Sequence, residues 1–173
     1  RDEKTAFEKL LFQLGNDYED QYVRDKFPNS VTMPFERPED GFKLIIDSMI
    51  SGTDVLHGAP IYYLPEGVYG IADILEKSDT ESSIFGNYHY TIKEVKLAKN
   101  IQEKHLLQGA FYNYLIGKIQ GVTPKTFAMI NGDGEESLHE YSAFDSLLFD
   151  SINGAREILQ GGSISPTYGS CDY

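Results

Sequence analysis

Apolar residues fall at three- and four-residue intervals from Thr5 to Arg24, through Phe7, Leu10, Leu11, Leu14, Tyr18 and Tyr22, and this spacing predicts an amphipathic helix. Phe27-Pro28-Asn29-Ser30 ends it, and Pro34 and Pro38 predict an irregular stretch as far as Phe42. Helical spacing returns from Phe42 to Ser51 through Leu44, Ile45, Met49 and Ile50, with Gly52 as the stop. The pattern then becomes that of strands. Asp54 to Tyr63, Val68 to Leu75 and Tyr88 to Leu97 are rich in Tyr, Ile, Val and Thr, and Leu64-Pro65-Glu66-Gly67 and the polar stretch Ser78 to Ser83 separate them. Three antiparallel strands are predicted, the first irregular at Gly58-Ala59-Pro60, as at a bulge or a sheet edge.

Further on, Leu106, Leu107, Ala110, Phe111, Tyr114, Leu115 and Ile119 predict a helix over Ile101 to Gln120 that stops at Gly121 and packs on the sheet. Asn131-Gly132-Asp133-Gly134 between Lys125 to Ile130 and Ser137 to Tyr141 predicts a second hairpin. Phe144, Leu147, Leu148, Ile152 and Ala155 mark a last helix before Gly161-Gly162. The expected architecture is α/β, a mixed central β-sheet flanked by α-helices, with residues 1–173 forming one domain.

Composition adds three constraints. No apolar run approaches the ~20 residues needed to cross a bilayer, and no signal peptide is visible, so a soluble, cytoplasmic protein with no membrane partner is expected. The one cysteine, Cys171, excludes an internal disulfide, and a chain running from Arg1 to Cys171-Asp172-Tyr173 reads as a piece of a longer protein. The net charge of −12 opposes a nucleic-acid partner, because backbone binding is normally driven by Lys and Arg. The acid is concentrated elsewhere, however, with seven acidic residues against Arg156 from Asp133 to Glu157. Between Lys93 and His105, Lys93, Lys96, Lys99 and Lys104 outnumber Glu94 and Glu103, so that stretch is locally basic.

The chemistry gathers in the same region. If Asp73 ends the second strand, alternation puts Glu94 and Lys96 together on one face of the third, with Val95 on the other. Hard cations such as Mg²⁺ take oxygen ligands and need only one or two protein carboxylates beside phosphate and water. An ammonium alongside can orient water and meet charge growing on a phosphate. The bland alternative is a lysine paired with two solvated acids. On the next helix, Gln108 and Tyr112 are spaced i, i+4 and share a face.

Asp73, Glu94-Val95-Lys96 and Gln108-x-x-x-Tyr112 together resemble the signature of RecB-type nucleases of the PD-(D/E)XK superfamily, and the likeness covers most of the chain. It implies a restriction-endonuclease-like core and Mg²⁺- or Mn²⁺-dependent hydrolysis of DNA, more often from a single-stranded end than at a defined sequence. Asp73 and Glu94 would hold metal with the carbonyl of Val95, Lys96 would be catalytic, and Gln108 and Tyr112 would position substrate or Lys96. The superfamily often has proline near the motif acid; here Ile71-Ala72 precede Asp73, as in RecB-like members with a G-x-x-D strand. Gly15-x-x-x-Glu19 on the first helix resembles the pattern whose acid points at the metal, which makes Glu19 a further metal candidate against its reading as a solvated acid.

Other features carry less. His57 is read as outside the metal site, and His89, His105 and His139 show no paired ligand spacing, so no zinc site is expected. Some relatives hold an iron–sulfur cluster after the nuclease core, but one cysteine cannot bind it, so a cluster belongs only to a longer protein, which would also accommodate added domains or a helicase-type partner. Two rival readings are a catalytically silent nucleic-acid-binding or assembly domain and a restriction-like endonuclease, the second disfavoured by Gln108-x-x-x-Tyr112.

Overall fold

A computed structural model describes residues 5–159. Helix α1 (Ala6–Lys26) opens with a capping box, Glu8 N–H donating to Thr5 Oγ1 at 3.2 Å and Thr5 N–H to Glu8 Oε2 at 2.7 Å. Strand β1 (Val31–Thr32), α2 (Pro38–Ile50), β2 (Val55–Tyr63), β3 (Val68–Ser78) and β4 (His89–Val95) follow. Helix α3 (Glu103–Gln120), β5 (Thr126–Ile130), β6 (Glu136–Glu140) and α4 (Asp145–Leu159) complete the order. One six-stranded sheet runs β1-β2-β3-β4-β5-β6. The β2–β3, β3–β4 and β5–β6 pairs are antiparallel, and β1–β2 and β4–β5 are parallel. The expected α/β architecture, a mixed sheet flanked by helices, is what the chain adopts. Among the described residues no helix is long and apolar enough to cross a membrane.

The two faces of the sheet bury different clusters. Helices α2 and α3 cover Leu56, Ile61, Leu75, Tyr90, Ile92, Phe127 and Met129 through Ile45, Met49, Ala110, Leu115 and Ile116. The C-terminal half of α1 lays Tyr18, Tyr22 and Val23 over Ile74, Val95 and Ile130 on the other face. In its N-terminal half Phe7, Leu10, Leu11 and Leu14 are exposed, and none of these four joins either cluster among the described residues. The predicted stripe is therefore only half used as core.

Three boundaries differ from expectation for physical reasons. Pro38 opens α2 at its first turn, where a missing N–H costs nothing, so the helix begins before Phe42. The two-residue β1 is too short to leave a periodic signal. Asp73 does not end its strand, because β3 runs on to Ser78 and pairs along that length with β4.

The irregularity predicted at Gly58 positions the site. His57 pairs with Ile74 and Ala59 with Ala72, which leaves Gly58 opposite Asp73 between them. Gly58 takes a φ of 64°, open to glycine with little strain. Leu56 and Ala59 both join the α2/α3 cluster, as do Ala72 and Leu75, so side-chain alternation inverts across this point on both strands. Beyond His57 the outer edge of β2 has no β1 partner, and Pro60 falls in this edge segment, where proline is tolerated.

Candidate metal and catalytic site

The inversion at Asp73 brings its carboxylate to the end of β4. Asp73 N–H donates to Glu94 Oε1 at 3.0 Å, and Val95 N–H donates to Asp73 Oδ2 at 2.7 Å. Lys96 Nζ lies 3.0 Å from Glu94 Oε2 and 3.5 Å from Asp73 Oδ2. One ammonium thus touches both acids, and the group carries one formal negative charge in excess. Glu94 is 0% exposed and Asp73 15% by side chain, so the solvated-surface reading does not describe them. Val95 turns its side chain into the α1 cluster, opposite Glu94 and Lys96, as alternation predicts.

Burial sets the ionisation. It pushes the Asp73 carboxyl up to about 6, against the pull of Lys96 and with help from the charge of Glu19. Burial and the neighbouring Asp73 raise Glu94 well above the usual carboxylate range. Lys96 is held above its ordinary value because the charges of Glu94 and Asp73 outweigh its own desolvation.

Helix α3 closes one side. Gln108 Nε2 donates to Tyr112 Oη at 3.0 Å, the i, i+4 pairing expected of these residues. Burial, then the charge of Glu94, raises the Tyr112 phenol, which places the ring beside the acids. A Cβ at Gly70 would overlap the Tyr112 ring, so the glycine of Gly70-Ile71-Ala72-Asp73 leaves the space in which Tyr112 reaches the site.

Glu19 points inward from α1, not into open solvent, and its charge acts on Asp73. Its hydrogen bond, though, is to His57, with Glu19 Oε1 2.9 Å from Nε2, while Thr32 Oγ1 lies 3.2 Å from Nδ1. Sequence reasoning set His57 aside, yet the hairpin register places it opposite Ile74, one residue from Asp73, and that register was the signal available. Among the described residues, no three His, Cys, Asp or Glu side chains form a group able to hold a metal ion. The remaining histidines are engaged elsewhere: His89 Nδ1 meets the Glu81 carbonyl, His105 Nδ1 accepts from Gln102 N–H, and His139 stacks on Phe127. Cys171 lies outside the described residues.

Two carboxylates with oxygen donors only fit a hard divalent cation that keeps much of its water, and no hydrogen bond among the described residues reaches Asp73 Oδ1. The expected basic surface is less free. Lys93 pairs with Glu76 at 3.1 Å and Glu136 at 2.9 Å, and Lys99 pairs with Asp133 at 3.1 Å. Acids remote in sequence neutralise the lysines beside the motif.

The His57–Glu19 pair makes stability depend on pH. The bond to Glu19 raises the imidazole above its ordinary 6.5 despite burial. A raised basic group stabilises fully below its unfolded pKa, and that contribution is lost as pH rises through the folded one. His57→Gln is therefore expected to lower the melting temperature more near pH 6 than near pH 9. An equal loss at both pH values would show that the pair carries no charge.

No protein-family model matches this chain and no curated protein matches it, so what the site does has to be read from its own residues.

Proposed function

We propose that this chain is a metal-dependent nuclease of the RecB-like PD-(D/E)XK kind, hydrolysing DNA phosphodiester bonds from single-stranded ends with Mg²⁺ or Mn²⁺. The observation that supports it is the contact of one ammonium, Lys96 Nζ, with both Asp73 and Glu94 in a largely buried site. Asp73 and Glu94 would hold the cation, with the Val95 carbonyl as a further donor; Glu19 would join them only by releasing His57. A bound divalent cation supplies Lewis acidity toward the phosphate and lowers the pKa of its water. Lys96 orients the attacking water and meets the charge that grows on the phosphate oxygens. Water adds at phosphorus and gives up one proton to solvent, the bridging P–O bond breaks, and the departing alkoxide takes up a proton from solvent. Tyr112, fixed by Gln108, forms the wall against which Lys96 and the substrate are placed.

The alternative, a silent binding or assembly domain, draws on the same geometry: Glu94 has both oxygens occupied, by Asp73 N–H and by Lys96. End-labelled single- and double-stranded DNA incubated with Mg²⁺, with Mn²⁺ and with EDTA separates the two. Cleavage that requires the cation and favours single strands is the expected result. DNA binding without cleavage under any cation would favour the silent domain.

A further inference from the structure

Tyr69 lies on β3 four positions before Asp73, and about 13 Å from it at ~3.3 Å per residue. Gly70 and Ala72 turn toward α3 and the core, so alternation places Tyr69 and Ile71 together on the opposite face. Both are exposed, Tyr69 at 54%. Directly across the hairpin is Tyr62, and the two rings are stacked, with centroids 4.8 Å apart and planes at 8°. Phe42 of α2 packs behind Tyr62 at 5.8 Å. Among the described residues Tyr62 is the one ring stacked on Tyr69, and Tyr69 keeps about half of its surface exposed.

We propose that the exposed Tyr69 ring is a stacking subsite for an unpaired nucleobase of the strand whose phosphate reaches Asp73, Glu94 and Lys96. The inference rests on the nuclease reading above and adds a binding determinant to it. The net charge is −12, and Lys93 and Lys99 already pair with acids, so phosphate neutralisation supplies little affinity. Stacking on an aromatic ring needs no positive charge and accepts any base. It also requires a base free of its duplex, which makes the platform selective for single strands. Phe42 and Tyr62 hold the outer ring in place, so little side-chain freedom is lost when a base settles on it.

The test is binding of a single-stranded oligonucleotide carrying 2-aminopurine to the full chain in EDTA, where nothing is cut, with a duplex of the same sequence beside it. Wild type is expected to bind the single strand and quench the 2-aminopurine. Tyr69→Ala is expected to bind it roughly 5- to 150-fold more weakly, the range for loss of one stacked base, while Tyr69→Phe binds as wild type. The salt dependence should be the same in all three, because no phosphate contact changes. Equal binding by Tyr69→Ala, or an equal loss in Tyr69→Phe, overturns the proposal. A parallel assay with Mn²⁺ separates the two readings. Cleavage by wild type together with unaltered binding by Tyr69→Ala removes the subsite alone, whereas wild type that neither binds nor cuts DNA removes the nuclease reading with it.

Discussion

Lys96→Met is expected to reduce DNA cleavage by ~10²–10³, about 2.7–4 kcal/mol of transition-state stabilisation, while the divalent cation still binds. The ammonium is the group that meets developing charge, and the two acids are those that hold the ion. Stability responds as well, because Glu94 is 0% exposed and Lys96 is its cationic partner at 3.0 Å. Removing one member of a buried pair commonly costs ~3–5 kcal/mol. The metal-free variant should therefore melt lower, even though methionine matches lysine in volume. Cleavage must be compared well below that melting temperature, and a Mn²⁺ titration followed by unfolding would show the cation still stabilising the variant. If folded Lys96→Met cuts DNA at the parental rate, Lys96 is only a salt-bridge partner and the proposed chemistry is wrong.

Asp73→Asn is expected to do the reverse to the metal-free protein. Burial raises Asp73 from 3.8 to about 6, so the folded chain holds this proton more tightly than the unfolded chain does. A raised carboxyl contributes most below its unfolded pKa, and that contribution is lost as pH rises through the folded one. At about 1.4 kcal/mol per pH unit, the ionised carboxylate at pH 8 costs the fold roughly 3 kcal/mol relative to acid. Asparagine removes that cost and can still accept from Val95 N–H. Denaturant unfolding in EDTA should find the variant more stable than wild type at pH 8, with the gap closing as pH falls toward 4. Adding Mn²⁺ at ~1,000 times its dissociation constant should invert the order, since that stabilises wild type by about 4.1 kcal/mol and the variant has lost one of its two acids. A variant less stable than wild type at pH 8 in EDTA would mean that Asp73 is held mainly by its contact with Lys96.

Much of this was legible along the chain. Periods of three to four residues marked α1 and α3, and the Asn131-Gly132-Asp133-Gly134 turn marked the β5–β6 hairpin. The hairpin turn put Asp73 and the Glu94-Val95-Lys96 run on neighbouring strands, but the inversion of alternation that turns the Asp73 carboxylate to the end of β4 left no sequence signal beyond the irregularity at Gly58. Pro38 misled because proline breaks a helix in its interior and favours its first turn, and the sequence pattern does not distinguish these cases where no cap is visible. The strand was read only as far as Leu75 because Glu76, Lys77 and Ser78 are polar, yet pairing with β4 continues through them.

The order of the helices and of the longer strands, the motif and the shared face of Gln108 and Tyr112 follow from the chain alone, since each depends on residues close in sequence or joined by a short turn. Charge states and partners come from the assembled fold. Whether a carboxyl titrates near 4 or near 6 depends on how much water the surrounding elements exclude. Lys93 and Lys99 met acids from the β5–β6 hairpin and its turn, which no count over Lys93 to His105 could anticipate. The Glu19–His57 bond and the stack of Tyr69 on Tyr62 and Phe42 arise where α1 and α2 come to rest against β2 and β3, and packing geometry of that kind is set by the whole core.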